Sequence, residues 1–236
     1  MADISSNILI WGVGVGPGDP ELLTLKGLRI IGECQVVAYP VDEQAKSYAC
    51  QTVRSYLNPT SLHYPFSLPL HLPMDERQKH YRKIAEAIGK YADEGKKIAI
   101  LCEGDPLLYG SSQYILSELS DKYRVGVIPG ISSITAAAAA AHIPLLSGQE
   151  SLVVIPATID EGEMTRQLQF CHTAVILKVG KHIQKVKKVL STFPGYKQAL
   201  LMENIGHLNE YSQLLHQADD RVPSYFSLVL WRRLLS

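Results

Sequence analysis

The segment Gly12-Val13-Gly14-Val15-Gly16-Pro17-Gly18-Asp19-Pro20 constrains this chain more than any other. It follows the apolar run Ile8-Leu9-Ile10-Trp11 and precedes a helical pattern over 21–31. Glycine at every second position lets the backbone turn sharply and lets a neighbour approach with no Cβ in the way. Pro17 stiffens the middle of the turn. A strand that ends in such a loop and feeds a helix builds an α/β unit with a small-molecule site at the strand's end. The same residues also suit a tight turn with no ligand. The dinucleotide fingerprint fits poorly. It needs G-x-G-x-x-G and an acid about 20 residues on. Here Pro17 takes the third glycine position, and the next apolar run, Gln35-Val36-Val37-Ala38-Tyr39-Pro40, ends without an acid. That argues against a nucleotide-binding oxidoreductase.

Short aliphatic runs then alternate with longer helical patterns. Strands are expected at 8–11, 35–38, 98–101, 125–128, 152–155, 174–179, 199–202 and 226–231. Several are continuous aliphatic runs, as in sheets covered on both faces. Helices are expected at 21–31, 45–57, 75–91, 113–119 and 183–190, and over the alanines 136–141. In the third of these, Tyr81, Ile84, Ala85 and Ile88 recur at helical spacing. The alternation predicts an α/β fold of two domains, 1–120 and 121–236, with the second opening at the run Val125-Gly126-Val127-Ile128. Two such domains offer a trough for a ligand.

Composition narrows the function classes. The chain has 236 residues, 46% of them hydrophobic, enough for one large core or two moderate ones. Lys+Arg and Asp+Glu are both 23, so there is no basic excess to bind nucleic acid. No apolar run reaches membrane-spanning length. The N-terminus, Met1-Ala2-Asp3-Ile4-Ser5-Ser6, has no basic region followed by an apolar one, so no secretory signal is expected. Cys34, Cys50, Cys102 and Cys171 are scattered without a C-x-x-C pair, which favours reduced thiols in a cytoplasmic protein and no metal site.

Two more loops follow expected strands. Cys102-Glu103-Gly104-Asp105-Pro106-Leu107-Leu108-Tyr109-Gly110 combines close backbone approach at Gly104 with an Asp-Pro step that also suits a plain helix start. Ile128-Pro129-Gly130-Ile131-Ser132-Ser133 leads into the alanine helix, which Ser132 or Ser133 can cap. Each reads as ordinary structure alone. Three such loops in this order, each after a strand, point to a ligand site.

With these residues in view, the sequence resembles the tetrapyrrole methyltransferases, which methylate porphyrin and corrin precursors with S-adenosylmethionine and release S-adenosylhomocysteine. The resemblance rests on Gly12 to Asp19, Glu103 to Tyr109, and Pro129 to Ser133 with the helix after it. It covers nearly the whole chain. It implies two α/β domains, the cofactor in the trough between them, and a homodimer. Within the family the chain is similar to the branch that methylates C20 of precorrin-2 or cobalt-factor II, through Asp19 to Lys26, Val37 to Pro40, Leu107 to Ser111, Leu177 to Gly180 and Ser224 to Val229. Members acting on uroporphyrinogen III carry an Asp, a candidate base, at the position of Pro40; no catalytic acid carries over here. Residue by residue, the resemblance implies cofactor contacts at Pro17, Glu103, Gly104, Asp105, Leu108, Ser132, Ser133, Val179 and Gly206.

Positioning supplies most of the rate expected of such a reaction, and the residues show no nucleophilic Ser/His/Asp set. For the substrate's rim carboxylates the natural partners are cations. Lys178 is the foremost candidate, with Lys181 and His182 beside it. Arg77, Lys79, His80 and Arg82 suit a solvated helix face equally well. Tyr109 is a candidate surface for the flat macrocycle; Tyr39 and Tyr114 suit core packing as readily. The alternatives are methylation at another carbon of a related tetrapyrrole and a non-catalytic module that binds an adenosyl ligand.

Overall fold

The computed structural model describes residues 8–69 and 72–233, so the N-terminal hexapeptide lies outside the described residues. The chain divides into two compact units, Met1–Ser132 and Ser133–Ser236. The first holds a parallel sheet of β1 (Ile10–Gly14), β2 (Val36–Val41), β3 (Leu62–Ser67), β4 (Ile98–Cys102) and β5 (Val125–Ile128), in the order β3-β2-β4-β1-β5. Successive strand residues face opposite sides. Val13, Val37 and Leu101 meet helices α1 (Leu25–Glu33) and α2 (Tyr48–Val53) on one face. Ile10, Ala38 and Ile100 meet α3 (Met74–Asp93) and α4 (Ser112–Ser120) on the other. Both faces are therefore dry, which is why the strands read as unbroken aliphatic runs.

The second unit contains α5 (Ser133–Ala141), β6 (Leu152–Pro156), α6 (Glu161–Gln169), β7 (Thr173–Leu177), α7 (Ile183–Leu190), β8 (Leu200–Glu203), β9 (Tyr211–Leu214) and β10 (Ser227–Arg232). Its sheet is mixed, in the order β6-β7-β10-β8-β9. β6 and β7 are parallel, and β10 runs antiparallel to both β7 and β8. Met164, Leu168, Ile183, Val186 and Leu190 of α6 and α7 cover Ala174, Ile176 and Trp231 on one face. Ile134, Ala136 and Ala137 of α5 cover Val175, Leu228 and Leu230 on the other.

The eight expected strands and six expected helices are all present, with shifted ends. The helix expected at 21–31 is split. Asp19 accepts from the Glu21 N–H at 2.8 Å and caps a 3-10 turn, Pro20–Leu22; Thr24 then accepts from the Gly27 N–H at 3.0 Å and caps α1. The helix expected at 45–57 starts later, at α2, because Ala45 has φ +60° in a turn closed by Asp42. The boundary expected after residue 120 also moves. β5 does not open the second unit: it pairs in parallel with β1, Val13 opposite Ile128, and completes the first sheet.

Candidate functional site

In the first unit, β4, β1 and β5 lie side by side at the middle and edge of the sheet. The chain leaving β1 goes to α1 on one face, and the chain leaving β4 goes to α4 on the other. Loops of neighbouring strands that part to opposite faces open a crevice beyond the strands' carboxyl ends, where α/β folds bind ligands. All three glycine loops identified in the sequence meet there.

Their contacts are close and made largely by main chain. Gly16 and Gly104 form an antiparallel bridge, the Gly104 N–H donating to the Gly16 carbonyl at 2.8 Å. The Val15 N–H donates to the Cys102 carbonyl at 2.9 Å, so β1 and β4 stay joined past their strands. The third loop is pinned by Asp105. Its Oδ2 accepts from the Gly130 N–H at 3.1 Å, and its Oδ1 accepts from the Leu107 N–H at 2.9 Å. A Cβ on Gly14 would stand 2.5 Å from the Gly130 nitrogen and 2.6 Å from the Gly104 oxygen, so only glycine permits this approach. Gly104 itself has φ +64°, and the atom nearest its missing Cβ is Ser132 Cα at 3.9 Å. Glu103 turns the other way: its Oε1 accepts from the Ala49 N–H of α2 at 3.0 Å, and burial pushes its carboxyl above the usual carboxylate range.

The residues carried over from the sequence fall into two groups. Pro17, Glu103, Gly104, Asp105 and Ser132 gather in the first unit's loop cluster; Pro17 is buried. Leu108 and Tyr109 continue the loop after β4 and are exposed, as is the neighbouring Leu107; Tyr109 holds φ +56°. Ser133, Lys178, Val179 and Gly206 belong to the second unit. There Lys178 (φ +57°) follows β7, while Asn204 (φ +55°) and Gly206 (φ +83°) follow β8, at the same end of the sheet, since both strands run antiparallel to β10. Lys178 is exposed. Val179 is 0% exposed within the core around α7, so its side chain has no surface to offer and any contact falls to its backbone.

Other candidates are structural. Tyr114 stacks on Tyr81 with ring centroids 5.1 Å apart, Tyr39 shares a hydrogen bond with His63 Nδ1 at 3.1 Å, and Arg82 pairs with Glu118 at 3.0 Å. Burial, with the charges of Lys185 and Lys181, pushes the His182 imidazole below its ordinary value. The four cysteines are unpaired, and among the described residues no group of three His, Cys, Asp or Glu could hold a metal ion. Sequence reasoning missed the Asp105 strut, the Glu103 cap on α2, and Asn204. The positive φ values of Tyr109 and Lys178 gave no sequence signal, because neither is Gly or Asn; Asn204 is a residue type that tolerates this conformation.

Comparison with known proteins places the chain. The profile of the tetrapyrrole (corrin/porphyrin) methylases matches residues 9–214. The precorrin-2 C(20)-methyltransferase of Sinorhizobium sp is 35% identical over 228 residues, 93% of each chain. The cobalt-precorrin-2 C(20)-methyltransferase of Salmonella typhimurium is 28% identical, covering 94% of each. The cobalamin biosynthesis protein CobIJ of Mycobacterium tuberculosis is 33% identical over 96% of this chain but 46% of its own length, so the chain spans about half of that relative. Among solved structures, the cobalt precorrin-4 methyltransferase CbiF matches with a TM-score of 0.72 at 20% identity, covering 94% of each chain. The uroporphyrin-III C-methyl transferase of Thermus thermophilus, complexed with S-adenyl homocysteine, matches at 0.67 and 22% identity, covering 94% of this chain and 91% of its own. On the profile match and the likeness to the Sinorhizobium enzyme, this chain belongs to the tetrapyrrole (corrin/porphyrin) methylases.

Proposed function

We propose that this protein transfers a methyl group from S-adenosylmethionine to C20 of precorrin-2 or cobalt-factor II in corrin biosynthesis. The observation that carries the reading is the meeting of the β1, β4 and β5 loops at one crevice in the first unit. Likeness to two C(20)-methyltransferases across more than nine-tenths of both chains supports the choice of carbon.

The cluster fits an adenosyl cofactor on its own chemistry. Both Asp105 oxygens and Glu103 Oε1 are engaged by backbone N–H groups, so what the loops present is main chain rather than carboxylate. The space at the missing Cβ of Gly104 admits a close neighbour. Pro17, Glu103, Gly104, Asp105, Leu108 and Ser132 hold the cofactor from the first unit. The family resemblance adds Ser133, the Val179 backbone and Gly206 as further cofactor contacts. Bound there, S-adenosylmethionine supplies a methyl group made electrophilic by its sulfonium.

The chain's own task is positioning. Holding donor and acceptor in line lowers the barrier by up to about 7–11 kcal/mol. The Gly16–Gly104 bridge and the Asp105 strut tie the loops to one another around Gly104. Tyr109 offers an exposed ring to the flat face of the macrocycle, and the Lys178 ammonium pairs with a rim carboxylate. This work needs no activated nucleophile. The enzyme acts as a cytoplasmic homodimer, a reading supported by the family resemblance and the unpaired cysteines. Titration calorimetry with S-adenosylhomocysteine and, separately, NAD tests the cofactor assignment. S-adenosylhomocysteine is expected to bind and NAD is not; binding of NAD alone would contradict the reading.

A further inference from the structure

Glu203 ends β8 with 3% of its side chain exposed and is the only charged residue among the buried polar ones described. A buried carboxylate is costly unless it is paired and hydrogen-bonded. Glu203 is saturated. The Arg221 guanidinium grips both of its oxygens, Nη1 donating to Oε2 at 3.0 Å and Nη2 to Oε1, and the Ser224 N–H donates to Oε2 at 2.7 Å. Burial pushes this carboxyl up, but Arg221 and the Ser224 N–H outweigh it and hold the group below its ordinary value. The pair therefore fastens the segment before β10 to the end of β8.

That segment is in turn fastened to the strained turn that follows Glu203. The Asn204 N–H donates to the Phe226 carbonyl at 2.8 Å, and the Ser224 hydroxyl bonds Asn204 Oδ1 at 3.1 Å. The His207 ring lies 5.6 Å from that of Phe226, and the Gly206 N–H donates to Glu210 Oε2 at 2.8 Å. Asn204 holds φ +55°, a left-handed conformation that non-glycine residues adopt only where their surroundings fix it, while Gly206 takes φ +83° freely. A salt bridge of this kind is weak evidence for stability, since apolar replacements often match it. Its distinctive product here is the shape of one turn.

We infer that Glu203 and Arg221 are positioning residues for the S-adenosyl ligand: the grip of the exposed Arg221 guanidinium on the buried Glu203 carboxylate sets the 204–206 turn without touching the ligand. The inference rests on the reading that the Gly206 turn borders the cofactor. Three variants test it: Arg221→Met, which removes the grip; Arg221→Lys, which keeps a charge but loses the fork; and Glu203→Gln, which keeps the shape. Affinity for S-adenosylhomocysteine is measured by calorimetry, KM for the tetrapyrrole by initial rates, and folding by circular dichroism and melting.

Arg221→Met is expected to weaken S-adenosylhomocysteine binding about tenfold or more, a loss of about 1.4 kcal/mol. Arg221→Lys and Glu203→Gln fall between it and the unmodified protein, and KM for the tetrapyrrole changes less than twofold in all three. Folded variants that bind as tightly as the unmodified protein would overturn the inference, as would equal losses in both substrates tracking the melting temperature. If Arg221→Met fails to fold, the two milder variants decide by the same criteria. Failure of the unmodified protein to bind S-adenosylhomocysteine would instead overturn the cofactor reading beneath it.

Discussion

A methyl group added at Gly130 and one added at Gly104 meet opposite surroundings, although both residues belong to one loop cluster. At Gly130 the new Cβ would stand 2.0 Å from the Gly104 oxygen and 2.8 Å from two Gly14 backbone atoms. Main chain cannot swing aside as a side-chain tip can, so Gly130→Ala must part the loops. The expected loss is about 3 kcal/mol, the upper part of the overpacking range. At Gly104 the nearest atom is 3.9 Å away, and the cost is that of φ +64°, about 1–2 kcal/mol. Gly104→Ala should therefore fold, yet place its methyl where the proposed site has the cofactor approach. Urea unfolding and calorimetry with S-adenosylhomocysteine check the pair. A stable Gly104→Ala protein with undiminished affinity would show that no ligand approaches at that residue. The glycines were legible in the sequence as a group, but not their different duties. Nor was the fate of Asp105 visible: a carboxylate in a loop looks like a ligand group until both its oxygens are found bonded to backbone.

Missing aliphatic runs explain what the sequence hid at the level of elements. Buried strands were recognisable because both faces are apolar. The two strands missed, β3 and β9, each stand at one edge of their sheet and lack the aliphatic run that made the other two edge strands, β5 and β6, legible. β3 carries Pro65, which an edge tolerates because one side of its backbone has no ladder to join. β9, Tyr211–Leu214, is exposed at its first two residues and lacks an aliphatic run. Helix α6 was missed because Glu161–Gln169 is mostly polar, with only Met164 and Leu168 buried. Its start did carry a signal, an Asp followed three residues later by Glu: Asp160 accepts from the Glu163 N–H at 2.9 Å. Asp160→Ala should cost about 1 kcal/mol, the usual worth of such a cap. A thermal or denaturant shift near zero would mean that α6 is held by Met164 and Leu168 alone.

For the molecule as a whole, alternating strands and helices announced two α/β units, but not where one ends. β5 and β6 look alike as sequence, and only pairing reveals that β5 closes the first sheet beside β1. The three glycine loops sit at the carboxyl ends of that first sheet's strands, so moving the boundary puts all three, through Ser132, in one unit. Function at this scale is a claim about where a methyl group ends up. The direct test offers the protein S-adenosylmethionine carrying a carbon-13 methyl, with precorrin-2 and separately with cobalt-factor II, and reads the product by carbon NMR. The expected result is one labelled methyl at C20 in at least one of the two products. Label at any other carbon, or none transferred to either tetrapyrrole by protein that binds the cofactor, would contradict the account.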